Sequence, residues 1–268
     1  MMIDENMAEF SKVRSALYER ALRSYPDARS EDIEMMKKYL NPAPGERILG
    51  IGEGNGFFVP AILESLNGKG EYVVTDPSEY QLQNLEKSIK ANNLVIRKCT
   101  AEDSKRMLEL GSFDKIWSFG AFHHCPSQAV AFENMYATLK EGGLLVLGDV
   151  WRNTPLSEHF DGPVTRYCCT GHDVHFLGDT YARTIAQKAG FSTVEIVDLP
   201  IRWRFKTRRD VGIFIYDLLA MTNMERECTD VEERYEKVIR GCEQYLGIET
   251  KVSGVYLNWP MKAMVARK

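Results

Sequence analysis

The chain has 268 residues, of which 44% are hydrophobic and 27% charged, and a formal net charge of −4. These values describe a soluble globular protein with a substantial buried core, and they argue against a dedicated nucleic-acid binder, whose footprint is strongly basic. Apolar runs are broken within about ten residues, short of the ~20 a bilayer span needs, so no membrane partner is expected.

The opening MMIDENMAEF is acidic and polar, unlike a secretory signal. The six cysteines, Cys99, Cys125, Cys168, Cys169, Cys228 and Cys242, form no CxxC pair. Reduced thiols in a cytoplasmic protein are therefore expected. The first forty residues read as two helices. Phe10, Val13 and Leu17 share one stripe and Ile33, Met36 and Leu40 another, with Ser30 as N-cap of the second. NPAPGE (41–46) then punctuates the chain.

From 47 to 150 strands and helices alternate. RILGI (47–51) leads to a helix expected over Asn55–Leu66, and YVVTD (72–76) to one from about Ser78 to Asn92. LVIRKC (94–99) follows, then a short polar turn or helix. FDKIWSF (113–119) precedes a helix over Ser127–Leu139, ended by Glu141-Gly142-Gly143 before LLVLGDV (144–150). Near-continuous apolar strands between amphipathic helices imply a doubly wound α/β core whose sheet is covered on both faces. A loop-rich stretch (151–178) comes next, then a helix (about 179–189) and the strand TVEIVDL (193–199). Two further helices are read at 208–223 and after a capping box at Thr229–Glu232, before a last strand, MKAMVAR (261–267).

Gly52, Gly54 and Gly56 follow the first strand directly. Glycines there allow positive φ and close approach of a ligand, and the following helix offers unpaired N–H groups. Asp76 ends the second strand, 20 residues after Gly56, where an acid can accept both hydroxyls of a ribose. Dinucleotide and S-adenosylmethionine binding compete at this point. The spacing GxGxG, rather than GxGxxG, favours the second.

RILGIGEGNG, TDPS, CTAED, FDKIWSFGAFHHCPS and LKEGGLLVLGDV, in that order, resemble the successive motifs of class I S-adenosylmethionine-dependent methyltransferases, and within them the small-molecule group of ubiquinone/menaquinone-type enzymes. The resemblance covers about residues 45–150 well and Ala189-Gly190-Phe191 onward loosely. It implies a Rossmann-like, mostly parallel seven-stranded sheet with N-terminal helices and a helical insertion before the last strand. It also implies a cofactor site. Gly52, Glu53, Gly54 and Gly56 would line the methionine and ribose portion, Asp76 would take the ribose hydroxyls, and Pro77 would pack near the adenine. Ala101 and Glu102 would sit at the adenine edge, with Ser118 and Phe119 closing the methionine side. One departure stands out. The family usually has Asp or Glu at the position of Gly50, an acceptor near the cofactor's amino group or the loop backbone; Glu53, where Cys or Ala is more usual, is a candidate to replace it.

Methyl transfer needs mainly an aligned nucleophile and a dry pocket, and a base only where the acceptor is a hydroxyl or acidic carbon. His123 and His124 are the candidates for acceptor contact or base, against the plainer reading that they only pack. Cys168-Cys169-Thr-Gly-His172-Asp173-Val-His175 lacks metal-ligand spacing, so no metal is expected. That loop, with His159, is expected to line or cover an acceptor pocket. Arg202, Arg204, Lys206, Arg208 and Arg209 alternate with Trp203 and Phe205; a solvated edge is favoured over recognition of an anion or carrier protein. Tyr18 and Tyr25 would cover the cofactor or simply pack.

The expected organisation is a helical cap (1–44), a cofactor-binding core (45–203 and 254–268) and a helical lid (204–253). The expected activity is methyl transfer from S-adenosylmethionine to a small-molecule acceptor in biosynthesis. A non-methyl reaction with the same cofactor, or a non-catalytic protein with a degenerate fold, is the alternative. A homodimer is left open, and acceptor and target atom are not readable.

Overall fold

The computed structural model describes residues 10–172 and 174–268; the acidic N-terminal stretch up to Glu9 and Asp173 lie outside the described residues. The chain opens with α1 (Lys12–Ser24) and α2 (Ser30–Tyr39). There follow β1 (Arg47–Ile51), α3 (Val59–Leu66), β2 (Glu71–Asp76), α4 (Glu79–Ser88), β3 (Leu94–Lys98) and α5 (Ser104–Glu109). Next come β4 (Phe113–Phe119), α6 (Gln128–Thr138), β5 (Leu139–Asp149), α7 (Pro155–His159) and α8 (Thr165–Tyr167). The remainder is α9 (Asp179–Ala189), β6 (Thr193–Phe205), α10 (Arg208–Leu218), α11 (Val231–Tyr245), β7 (Ile248–Lys251) and β8 (Gly254–Arg267).

The chain divides into two compact units. One comprises residues up to Asp32, Asn153–Asp173 and Pro200–Pro260; the other comprises Ile33–Arg152, Val174–Leu199 and Met261–Lys268. This division groups 153–173, 200–203 and 254–260 with the helical segments, and 33–44 with the sheet.

In the sheet unit, β1, β2, β3, β4 and β5 are parallel, and the strand order is β3-β2-β1-β4-β5-β8-β6. β8 runs antiparallel to β5, pairing Lys262–Arg267 with Asp149–Leu144. The order reverses between β1 and β4, which opens a crevice beyond the carboxyl ends of those strands. Burial on both faces explains the unbroken apolar runs: Leu49, Ile51, Val73, Ile116, Leu145 and Leu147 lie in one cluster with Phe132, Met135 and Ile185 of the covering helices and with Phe191, just beyond α9. Each such side chain contributes roughly 1.5–3 kcal/mol by leaving water. The architecture is the doubly wound α/β fold expected.

The helical unit is held by α1, α10 and α11 around Trp203, Phe205, Phe214 and Trp259, all buried. Trp203 and Trp259 stack at 3.9 Å. Tyr25 packs edge-on against Phe205 and Phe214 and donates its hydroxyl to Asp210 at 3.1 Å, while the Tyr18 hydroxyl accepts from Arg29 at 3.2 Å. Both tyrosines thus pack within this unit. The cation run is the solvated edge favoured above. Arg202 pairs with Glu31, Arg208 with Glu243 and Arg209 with Glu232, and Arg204 donates to the Ser253 carbonyl.

Several boundaries differ from expectation. The helix expected from Asn55 begins at Val59, because Gly54 (φ +56°) and Gly56 (φ +85°) hold left-handed conformations that a right-handed helix cannot include. The expected seven strands gain an eighth. β7 folds back on β8 with Lys251 opposite Gly254, and Val252 stands fully exposed at the turn. The loop-rich stretch is helical over much of its length: Thr154 caps α7 in a reciprocal box with Ser157, and Phe160–Val164 forms a π-turn running into α8. Asp230, not Thr229, caps α11, accepting from the Glu233 amide at 2.9 Å.

Candidate functional site

The carboxyl ends of the five parallel strands bring most of the expected site residues to one end of the sheet unit. β1 delivers the loop Gly52–Gly56, β2 delivers Asp76, and β3 leads to Ala101 and Glu102. β4 ends in Ser118 and Phe119 and runs into a 3₁₀ turn, Phe122–His124; β5 ends in Asp149.

Asp76 organises the glycine loop. Its Oδ2 accepts from the Gly54 amide at 2.9 Å and its Oδ1 from the Ser78 amide at 2.8 Å. The amides of Gly52 and Glu53 both donate to the Thr75 carbonyl, at 2.8 and 3.2 Å. Burial pushes the Asp76 carboxyl up to about 6, against the pull of those two amides. A carboxylate has about four lone-pair sites, so each oxygen retains capacity for a further donor.

The glycines have distinct reasons to be there. A Cβ on Gly52 would lie 2.4 Å from the Ala121 Cβ, and one on Gly56 would lie 2.4 Å from a Leu85 methyl. Gly54 has room for a side chain; its positive φ of +56° is what favours glycine.

Glu53 is 8% exposed, and Tyr72 donates its hydroxyl to Glu53 Oε1 at 2.6 Å. Burial raises the Glu53 carboxyl to about 7, and Asp76 adds to the rise. Phe119 stacks on Trp117 with ring centres 5.3 Å apart, and Phe58 meets both edge-on. Gly148 permits this, since a Cβ there would sit 2.5 Å from the Phe119 ring. Ala101 is buried and its carbonyl accepts from Asn134 at 2.8 Å. Glu102 Oε1 lies 3.5 Å from the Ser127 amide, and Pro77 is exposed.

Among the described residues, the buried polar atoms without a hydrogen-bond partner include Glu53 Oε2, Asn55 Oδ1, Gln81 Oε1 and Ser118 Oγ. Buried polar atoms are normally satisfied, so a cluster of orphans beside a glycine loop marks where a polar ligand completes the structure. A nucleoside carrying hydroxyls and an amino acid end supplies donors of that kind, and the residues present fit it.

His123 is buried and firmly held. Its amide donates to Asp149 Oδ2 at 3.0 Å and its ring Nδ1 lies 2.5 Å from Asp149 Oδ1, which also accepts from the Val150 amide. The His123 carbonyl accepts from the His175 amide at 3.0 Å. His124 lies alongside, ring centres 4.2 Å apart. With the Nδ1 proton on the Asp149 side, His123 Nε2 is the basic position.

His159 belongs elsewhere. It is 1% exposed in the helical unit among Phe160, Tyr245 and Trp259, and neither ring nitrogen has a hydrogen-bond partner among the described residues. Burial lowers it to about 4. It does not line an open pocket, as the sequence had suggested. Tyr72, Asn55, Gln81 and Asp149 were not singled out in the sequence. Asp149 alone carried a signal, as an acid ending a strand just as Asp76 does.

Residues 49–147 match the family model described as a methyltransferase domain. Residues 49–147 are a methyltransferase domain. The cofactor of that family is S-adenosylmethionine, in keeping with the orphaned polar atoms around Gly54. The chain is similar, at 30% identity over 120 residues, to part of a highly reducing polyketide synthase of Phaeosphaeria nodorum; the match covers 43% of this chain and 4% of the synthase. The chain thus spans a small fraction of the curated relatives it matches. Among solved structures, phosphoethanolamine N-methyltransferase 2 of Haemonchus contortus, bound to phosphomonomethylethanolamine and S-adenosylhomocysteine, shares the fold. Its TM-score is 0.65 at 17% identity, over 97% of this chain and 58% of that one. The YcgJ protein of Bacillus subtilis gives 0.59 at 18% identity, over 88% and 97%. Among the described residues no helix is long and apolar enough to cross a membrane.

Proposed function

We propose that the protein transfers a methyl group from S-adenosylmethionine to a small-molecule acceptor in a biosynthetic step. The observation that carries this reading is the hydrogen bond from the Gly54 amide to Asp76, in a glycine loop that itself holds the orphaned buried atoms Glu53 Oε2 and Asn55 Oδ1, at the sheet end where the strand order reverses. Bound there, the cofactor supplies a methyl group on a cationic sulfur. Asp76 keeps the loop in its left-handed turns and accepts ribose hydroxyls with its remaining lone pairs. Phe58, Trp117 and Phe119 form a dry wall at the end of β4, with Ser118 and Phe119 closing the methionine side. Ala101 and Glu102 take the adenine edge, and Pro77 flanks it.

His123, oriented by Asp149, takes a proton at Nε2 from a hydroxyl or acidic carbon of the acceptor, and Asp149 stabilises the imidazolium that results. His124 contacts the acceptor beside it. Calorimetry tests the cofactor half: Asp76→Ala should weaken S-adenosylmethionine binding by at least about 100-fold, because the loop amides lose their acceptor as well. Product analysis tests the reaction. Release of S-adenosylhomocysteine with a methylated acceptor supports transfer, and cofactor bound but not consumed would favour a non-methyl reaction instead.

A further inference from the structure

Glu53 is a buried acid whose charge no cation among the described residues compensates. The influences that shift it are burial, the Tyr72 hydroxyl and Asp76, and none is a cation. One carboxylate oxygen accepts from Tyr72 and the other, Oε2, has no partner among the described residues. An acid kept in that state is unfavourable unless something arrives to pair with it.

The backbone makes room for this arrangement at a specific place. Gly50 lies in β1 opposite Val74 of β2, two residues beyond Tyr72 and on the same face. A Cβ on Gly50 would stand 2.4 Å from the Tyr72 hydroxyl, 2.6 Å from Glu53 Cγ and 2.8 Å from Glu53 Oε1. The space that a side chain at position 50 would fill is therefore occupied by a carboxylate reaching back from position 53, pinned by the tyrosine.

We propose that Glu53, seated over Gly50 and oriented by Tyr72, is the counter-ion for the cationic methionine end of the cofactor. This rests on the cofactor reading given above and names the residue that replaces the acid absent from β1. Pairing with a cation lowers the proton affinity of the carboxyl, so binding drives its proton into solvent. The groups facing Glu53 are Tyr72, neutral with its pKa raised by burial, and Asp76. Asp76 titrates lower, near 6, and adds a second, lower step.

The test is isothermal titration of the wild-type chain with S-adenosylmethionine and S-adenosylhomocysteine from pH 5.5 to 8.5, in buffers of different ionisation enthalpy. Expected for the wild type is release of about half a proton per cofactor near pH 7, and affinity falling about tenfold per pH unit below it. Glu53→Gln should remove this upper step, keep the lower one, and bind about 10- to 100-fold more weakly at pH 8. Tyr72→Phe should retain proton release, since the carboxylate is still present, and circular dichroism checks that both variants fold. Release with both ligands assigns the ammonium as the cation, and release with S-adenosylmethionine alone assigns the sulfonium. Binding by a folded Glu53→Gln variant that matches wild type at every pH overturns the inference and leaves the cofactor reading standing. Absence of any binding by the wild type overturns both.

Discussion

Replacing Gly50 by alanine is the smallest perturbation that separates a packed carboxylate from a passive glycine. Position 50 lies in a strand, away from the left-handed turns, so alanine meets no backbone penalty and on propensity alone should gain about 0.5–1 kcal/mol. The methyl would nonetheless lie 2.4 Å from the Tyr72 hydroxyl and 2.6 Å from Glu53 Cγ. Relieving that overlap in a closed core costs about 1–3 kcal/mol. Moving the hydroxyl or the carboxylate also breaks the 2.6 Å bond between them, a further loss of about 1.5–3 kcal/mol for a charged acceptor. The net is a destabilisation of roughly 1.5–5.5 kcal/mol. Urea denaturation at pH 8, where Glu53 is ionised, measures it. Tyr72→Phe removes the nearest atom, so Gly50→Ala should cost about 1–2 kcal/mol less in that background. A Gly50→Ala effect within about 0.5 kcal/mol of zero, or strict additivity with Tyr72→Phe, would refute the reasoning.

Two more expectations concern the histidines. Asp149→Asn and His123→Gln should each lower kcat by roughly 10²–10⁴ with little change in cofactor affinity, provided the acceptor must lose a proton. Steady-state kinetics beside calorimetry would count against a base if the loss fell only on KM. His159 concerns stability. Its folded pKa of about 4 lies below the unfolded value of 6.5, so its contribution is present above pH 6.5 and disappears as pH falls through 4. The full difference is roughly 3 kcal/mol. His159→Phe should therefore become progressively more stable relative to wild type between pH 6.5 and 4; a constant difference in thermal midpoint across that range would contradict the assignment.

The sheet was legible because each of its parallel strands is an apolar run flanked by turn residues, and β1 and β4 have the expected limits. The glycine loop and Asp76 were legible for the same reason, since backbone freedom and a strand-end acid leave a trace in residue type. The Glu53–Tyr72 pair left none. Tyr72 reads as one more strand aromatic, and only three-dimensional register places its hydroxyl over Gly50. His159 misled because a loop histidine is usually wet, whereas the helical segment 155–167 carries it into an aromatic core. The β7–β8 hairpin was missed because Ile248–Lys251 is short, largely exposed and polar, with no periodicity to distinguish it from a loop.

The antiparallel seat of β8 beside β5 has a consequence during synthesis. The segment Leu144–Asp149 waits for Lys262–Arg267, well over a hundred residues downstream. At about 5–20 residues per second, its apolar edge stays unpaired on the ribosome for on the order of ten seconds. Such an edge is a template for unwanted strand pairing. Nascent chains arrested shortly before residue 262 should therefore be the species that recruits holding chaperones, and a short truncation there should harm yield far more than its buried area suggests.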